Sequence, residues 1–340
     1  MTGRARGLAI LNPIAGADPR RVSALAGHCR ELVGDLDIAT TDRAGEAIDL
    51  VASALAEPRP PEVIVAVGGD GTVREAAEGL ARGLGRWPSG RGAGEDDEGL
   101  PALLVLPGGS GNSIYRALWS DTDWRQAVET ALDGGRNVRS LDLIRLVEAD
   151  RAAFLGVNVG LIAAIAEYIE RTKRERRDGD EGEDDEAESR YWAAFGEVLQ
   201  SFSSPSIRVV VDGELLHEGG VSLCTIGGVR RFGRGSFEVL PRSLLDDGLL
   251  DVCAVQDVAQ ERLVALAALV PDGRHVHEPE VAYAQGRSIS IERLDGHDLA
   301  IEHDGDPYRA TQSLTLDVVE AAVPALVGWR GPQNPLSRAV

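Results

Sequence analysis

Three features of this sequence predict an α/β N-terminal domain with a doubly wound, mostly parallel sheet, followed by a largely antiparallel, β-rich C-terminal domain. Residues 63–67, Val-Ile-Val-Ala-Val, form an apolar, mostly β-branched run without alternation, which suits a strand covered on both faces of a parallel sheet. Strand and helix patterns alternate as βαβαβαβ through the first third of the chain. From about Ser140 the pattern changes to short strands parted by turn residues, with few long helices.

Taken in order, Leu8-Ala9-Ile10-Leu11 reads as the first strand and Asn12-Pro13-Ile14-Ala15-Gly16 as the loop leaving its carboxyl end. Asp18-Pro19 has the form of a helix N-cap with proline at the first helical position, and predicts a helix to about Val33. A strand over 37–41 and a helix over 45–56 follow. After 63–67, Gly68-Gly69-Asp70-Gly71 lets the backbone take positive φ and lets another molecule approach bare peptide groups. A helix starting near Thr72 carries Val73, Ala76, Ala77 and Leu80 on one side. Residues 84–99, rich in Gly, Pro and acid, read as a surface excursion. A strand over 103–106 then ends in Pro107-Gly108-Gly109-Ser110-Gly111-Asn112, a second glycine loop opening a helix that Ser110 or Asn112 could cap.

Ligands of such sheets sit beyond the carboxyl ends of the strands, where these glycine-bearing loops fall. Unpaired N–H groups and the positive helix end point into the same space, and phosphate is the guest they predict. Any one loop could be only a tight turn; two in register, with residues 12–16 on a third strand, favour phosphate. Asp70 is an unusual residue there, because it repels phosphate unless a metal ion or a transferable proton lies between them.

The second half predicts strands at 141–147, 153–157, 207–211, 221–226, 237–240, 249–255, 288–291 and 299–301. Helices are predicted from 161 to about 176 and over 191–202. The first carries Leu161, Ile162, Ile165 and Ile169 on one face, as a core helix or a lipid wall would. Between them, the segment near 176–190, with its acidic run 178–186, predicts a solvated, mobile insert.

Of the 340 residues 43% are apolar and 4% aromatic, enough for two aliphatic cores. The net charge of -20 argues against nucleic acid as a partner and gives no general attraction to anionic headgroups, so any membrane contact would be local and apolar. Cys29, Cys224 and Cys253 are widely separated, and the six histidines show no ligand spacing. Arg4 and Arg6 precede an apolar run too short for a signal peptide, and no apolar run is long enough to cross a bilayer. The expectation is a cytoplasmic protein.

Asn12-Pro13 with Gly16, Gly68-Gly69-Asp70-Gly71-Thr72 with Glu75, and Leu106-Pro107 with Gly109-Ser110-Gly111-Asn112 and Arg116 together resemble the diacylglycerol and sphingosine kinase superfamily of lipid kinases. The resemblance continues through Asn158 and Gly160, through Pro241 with Asp247-Gly248-Leu249-Leu250-Asp251, and through Asp304-Gly305-Asp306. It implies ATP-dependent phosphorylation of a lipid hydroxyl, with the nucleotide in residues 1–139 plus about 312–340 and a diacylglycerol-like lipid at 140–311. A final strand near 314–319 would return to the first domain. By matching position, Asn12, Gly16, Thr41, Gly69, Gly71, Thr72, Glu75, Ser110, Gly111, Asn112 and Asp306 would line the nucleotide site. Asp304 matches the family's general base, and Asp247 with the carbonyl of Leu249 matches a Mg²⁺ site. Asp70 would hold Mg²⁺ against the phosphates. The resemblance further implies transient contact at the membrane periphery, and leaves assembly, a homodimer included, open.

The chain departs from the family in Asp306, one methylene shorter than the usual glutamate, in Arg234 where a small residue is common, and in Ser113 where aspartate is usual. The acid that sphingosine kinases use on their lipid has no clear counterpart near Gly160. Two other readings stay open: a kinase with a soluble acceptor such as NAD, and a nucleotide- or lipid-binding regulator that has lost catalysis.

Overall fold

The computed structural model describes residues 6–12, 19–33, 35–92, 99–109, 111–132, 137–175, 184–233 and 235–329. Gly16, Ser110, Arg234, residues 176–183 of the predicted insert and the tail beyond 329 lie outside the described residues.

The first part of the chain runs β1 (Arg6–Leu11), α1 (Pro19–Val33), β2 (Asp35–Thr40), α2 (Glu46–Leu55), β3 (Val63–Gly68), α3 (Asp70–Gly83), β4 (Ala102–Pro107), α4 (Ser113–Trp119) and α5 (Trp124–Leu132). The strands pair in the order β2-β1-β3-β4, all parallel. Every position of β3 and β4 is buried, as a run without alternation requires. Helices cover both faces, and the core joins Ile10, Val65 and Leu104 to Leu25, Leu80 and Leu118. The α3 helix starts at Asp70, two residues before its predicted start.

The remainder comprises β5 (Val138–Leu146), β6 (Arg151–Ala153), β7 (Gly156–Gly160), α6 (Leu161–Glu175), α7 (Asp184–Ser201), β8 (Ser206–Val211), β9 (Glu214–Gly227), β10 (Leu250–Gln256), α8 (Gln260–Ala267), β11 (Val281–Gly286), β12 (Ser288–Arg293), β13 (Leu299–His303), β14 (Asp306–Ala310) and β15 (Ser313–Leu326). Here the pairing is antiparallel. Long strands knit the sheets together. The early part of β9 pairs β8 and its later part pairs β7 and β10. Likewise β15 pairs β12 and β5, then meets β4 in parallel at Ala325 and Leu103, so the return to the first sheet comes later than residue 319. A second core joins Val157, Ile226, Ile289, Ile301 and Leu316.

Several elements differ from expectation. The predicted strand 153–157 is interrupted at Phe154-Leu155, because their N–H groups bond to Asp304 instead of a neighbouring strand. Residues 237–240 form no strand; Phe237 makes an isolated bridge to Phe232. The strands β11 and β14 are additional to those expected, and the second opens with Asp306-Pro307, an unfavourable start for a strand pattern. Helix α7 begins at Asp184, so the end of the acidic run is helical, with acids at the helix's positive end. The excursion after α3 is anchored: Arg86 is buried and donates to the Ala321 carbonyl at 3.2 Å. Leu161 and Ile165 of α6 pack on Ala194 and Val198 of α7, the core reading of that face.

Candidate active site

Between β3 and α3, and between β4 and α4, the two glycine loops lie backbone on backbone. Gly108 N–H donates to the Gly68 carbonyl at 3.0 Å. A Cβ on Gly108 would lie 2.7 Å from Gly68 N, and one on Gly109 would collide with Gly69 Cα. Thr72, buried, folds back under Gly68, where an added Cβ would lie 2.6 Å from its Oγ1. These glycines therefore allow the two loops to touch at the sheet's carboxyl edge.

Side chains then tie the loops together. Asp70, at the first turn of α3, accepts from Ile114 N–H through Oδ1 at 2.9 Å and from Ser113 N–H through Oδ2 at 3.0 Å. It thus caps α4, a task expected of Ser110 or Asn112. Burial pushes the Asp70 carboxyl pKa up, against the pull of those N–H groups and of Arg74. Gly111 passes close by: a Cβ there would lie 3.2 Å from Asp70 Oδ2. Asn112, at φ 53°, instead braces its own loop, its Oδ1 accepting from Gly109 N–H at 2.9 Å and its Nδ2 donating to the Gly109 carbonyl at 2.6 Å. Glu75 accepts from Gly45 N–H at 2.8 Å, at the start of α2. Asn12 N–H bonds the Val67 carbonyl at 3.2 Å, and Thr41 N–H bonds the Leu11 carbonyl at 2.8 Å. The sheet thus brings Asn12, Thr41, Gly69, Asp70, Gly71, Thr72, Gly111 and Asn112 to one edge.

The hairpin β13–β14 supplies the facing wall. Asp304 sits at its turn with φ 49° and is only 9% exposed. Its Oδ2 accepts from Phe154 N–H at 2.7 Å, and its Oδ1 from Leu155 N–H at 2.7 Å and Gly156 N–H at 3.2 Å. Burial pushes its pKa up to about 6, opposed by Arg74 and by these N–H groups. Behind it, Thr225 Oγ1 donates to Asn158 Oδ1 at 2.6 Å, and Asn158 Nδ2 donates to Glu302 Oε2 at 2.6 Å. Gly305 N–H bonds the other Glu302 oxygen. Burial pushes Glu302 up to about 7.

Arg74 joins the two walls across 232 residues of sequence. Its Nη1 donates to Asp306 Oδ2 at 3.0 Å and lies 2.9 Å from His303 Nδ1. Asp306 Oδ2 is 3.8 Å from where a Cβ on Gly71 would stand, so hairpin and glycine loop share one cleft. Arg74, Glu302 and His303 were missed from sequence. The signal for Arg74 was its spacing of four from Asp70, which puts both on one helix face.

Asp247 and Leu249 belong to a separate cluster. Asp247 Oδ1 accepts from Leu249 N–H at 3.1 Å, while Asp142, raised to about 7 by burial, accepts from Gly248 and Ala321 N–H at 2.7 Å each. Among the described residues no three His, Cys, Asp or Glu side chains converge as a metal shell. Mg²⁺ commonly takes one or two carboxylates and otherwise water or phosphate, and Asp70, with one N–H on each oxygen, retains lone pairs for that. Also among the described residues, no helix is long and apolar enough to cross a membrane. A cavity of about 470 Å³, lined by Val159, Gly160, Tyr168, Arg171, Leu299 and Arg309 among others, opens beside α6 and α7, at the ends of β7 and β13 away from Asp304.

Comparison with known proteins agrees with this architecture. Residues 6–146 match the family model described as the diacylglycerol kinase catalytic domain. Residues 158–327 match the YegS C-terminal NAD kinase beta sandwich-like domain. A Stenotrophomonas maltophilia protein named "Probable lipid kinase YegS-like" is 27% identical over 303 residues, covering 88% of each chain. A diacylglycerol kinase of Staphylococcus saprophyticus is 24% identical over 266 residues, 78% of this chain and 76% of that one. The crystal structure of a diacylglycerol kinase from Bacillus anthracis superposes with a TM-score of 0.64 at 17% identity, covering 96% of this chain and 98% of the other, which shows the shared fold.

Proposed function

The chain belongs to the diacylglycerol kinase superfamily, and from that premise we propose that it transfers the γ-phosphate of ATP to a hydroxyl of diacylglycerol or a similar lipid. The observation that carries the reading is the shared cleft: Arg74 of α3 reaches Asp306 of the hairpin at 3.0 Å, which ties the turn carrying the buried Asp304 to the amide-rich loop edge. Phosphoryl transfer asks for that pairing, since it needs positioned phosphates, neutralised charge and an acceptor for the alcohol's proton.

In this reading residues 1–139, with about 312–340, carry the nucleotide and residues 140–311 the lipid. Amides of Gly69, Gly71 and Gly111 hold phosphate oxygens, and Asn12, Gly16, Thr41, Thr72, Ser110 and Asn112 line the remainder. Glu75 acts through Gly45, fixing the start of α2 at the rim. Mg²⁺, when bound through Asp70, supplies the charge neutralisation; Asp247 with the Leu249 carbonyl is a second position for it. Asp304 takes the proton of the lipid hydroxyl. Its three N–H partners occupy three of about four lone-pair sites and leave roughly one for that hydroxyl, and a pKa of about 6 makes it a stronger base than an ordinary carboxylate. The lipid reaches the cleft by transient contact at the membrane periphery.

A soluble acceptor such as NAD is the competing reading, favoured by the NAD kinase-like description of the second matched domain. Incubation with γ-labelled ATP and each acceptor separates them. Label in the organic phase with diacylglycerol supports the lipid reading, and label only on NAD overturns it. ATP binding without transfer to any acceptor would favour a regulator.

A further inference from the structure

The amide-rich edge carries one carboxylate, Asp70, and the facing hairpin adds Asp304 and Asp306, so a triphosphate entering there needs a positive partner that moves towards it. Arg74 is the charge those three share. It pairs with Asp306 at 3.0 Å, and it works against the burial that pushes up the carboxyl pKa values of Asp70 and Asp304. Helical side chains lean towards the helix N-terminus, which carries this guanidinium back over the first turn of α3. There its Nη2 lies 4.0 Å from where a Cβ on Gly71 would stand.

The two ends of the ion pair differ in exposure: the Arg74 side chain is 11% exposed and that of Asp306 57%. One nitrogen, Nη1, serves both Asp306 and His303, so the bond to Asp306 is a single one to a carboxylate largely in water. At that solvent-facing end an entering anion can compete for the guanidinium. A phosphate offers more charge and the paired oxygens that a guanidinium grips best. His303 stays in place: buried and pushed down to about 4, it is neutral, and because arginine can only donate, its Nδ1 accepts and steadies the guanidinium.

We propose that Arg74 is a phosphate-contacting residue, exchanging Asp306 for an oxygen of the terminal phosphate when ATP binds, with His303 as its positioning partner. The inference rests on the ATP-dependent kinase reading above. Asp306, at the position expected to touch the nucleotide, serves in the free enzyme as the stand-in anion.

The test is calorimetric titration of ATP and of ADP, each with Mg²⁺, into the full chain and into Arg74→Gln. The expected result is ATP affinity weakened roughly 10- to 100-fold while ADP affinity stays near the parent's, which also reports that the site is folded. Equal weakening of both nucleotides, or no change in either, overturns the inference and leaves the kinase reading standing. Failure of the parent to bind ATP overturns the kinase reading and this inference with it. Should Arg74→Gln bind neither nucleotide, Arg74→Lys decides: a reduced preference for ATP over ADP supports the contact, and a parental ratio rejects it.

Discussion

Asp70 and Asp304 are both carboxylates gripped by backbone N–H groups, on opposite walls of one cleft, and they are spent differently. Asp70 accepts one backbone N–H on each oxygen and in doing so joins the β3 loop to the start of α4. Asp304 collects three N–H groups from a single break between β6 and β7, at a turn residue with φ 49°. The first holds two loops together and is replaceable in part by another acceptor. The second is a charge fixed in a pocket of amides, with its pKa pushed up to about 6. In the proposed reaction one wall positions and the other reacts.

Replacing Asp304 should separate the walls most sharply. Asp304→Asn should lower kcat roughly 10²- to 10⁴-fold, the usual worth of a general base, with ATP affinity little changed; steady-state transfer and titration measure both. On the positioning wall, Gly109→Ala drives a methyl into Gly69 and should cost about 1–3 kcal/mol in denaturant unfolding as well as weakening ATP binding. Asp70→Ala leaves two N–H groups of α4 without their acceptor and should cost about 1–2 kcal/mol, whereas Asp70→Asn, which keeps one acceptor oxygen, should cost less. Either Asp70 variant transferring phosphate at the parental rate would assign that residue to the scaffold alone. Glu75→Ala, at the rim, should cost about 1 kcal/mol or less in the same unfolding experiment and leave the ADP affinity unchanged.

The response to pH should show the reacting wall working against stability. Asp304 has a folded pKa of about 6 against an ordinary 3.8, so between these values the folded chain binds more protons than the unfolded one. Its contribution to stability is therefore present below 3.8 and lost as pH rises through about 6. Asp142 and Glu302, both raised to about 7, extend the same trend. In the proposed mechanism transfer requires ionised Asp304, so activity should rise through about 6 over the range where melting temperature falls. Asp304→Asn should remove that activity limb and flatten the lower part of the stability slope.

The parallel half was legible because its signals are local. The unbroken run 63–67 has one reading as a buried strand, and the glycine loops mark where strands end. The same local reading misjudged purpose, since nothing in Gly-Gly-Asp-Gly announces that Gly69 and Gly109 lie against each other or that Asp70 caps a helix 43 residues later. In the antiparallel half, β14 opens with a proline and β6 and β7 are parted by Asp304, so their outlines depend on contacts made far along the chain. Asp304 stood out as a candidate through its match to the family, since an aspartate before glycine is by itself an ordinary turn. Arg74 and His303 could not be paired before the hairpin folded onto α3, because their meeting is a product of the tertiary structure.

The most direct test of a single cleft is transfer of label from γ-labelled ATP to diacylglycerol, followed in the organic phase for the parent and for Asp304→Asn. The account predicts labelled lipid from the parent and a loss of at least roughly 10²-fold in the variant. Labelling of the lipid by Asp304→Asn at the parental rate would contradict it.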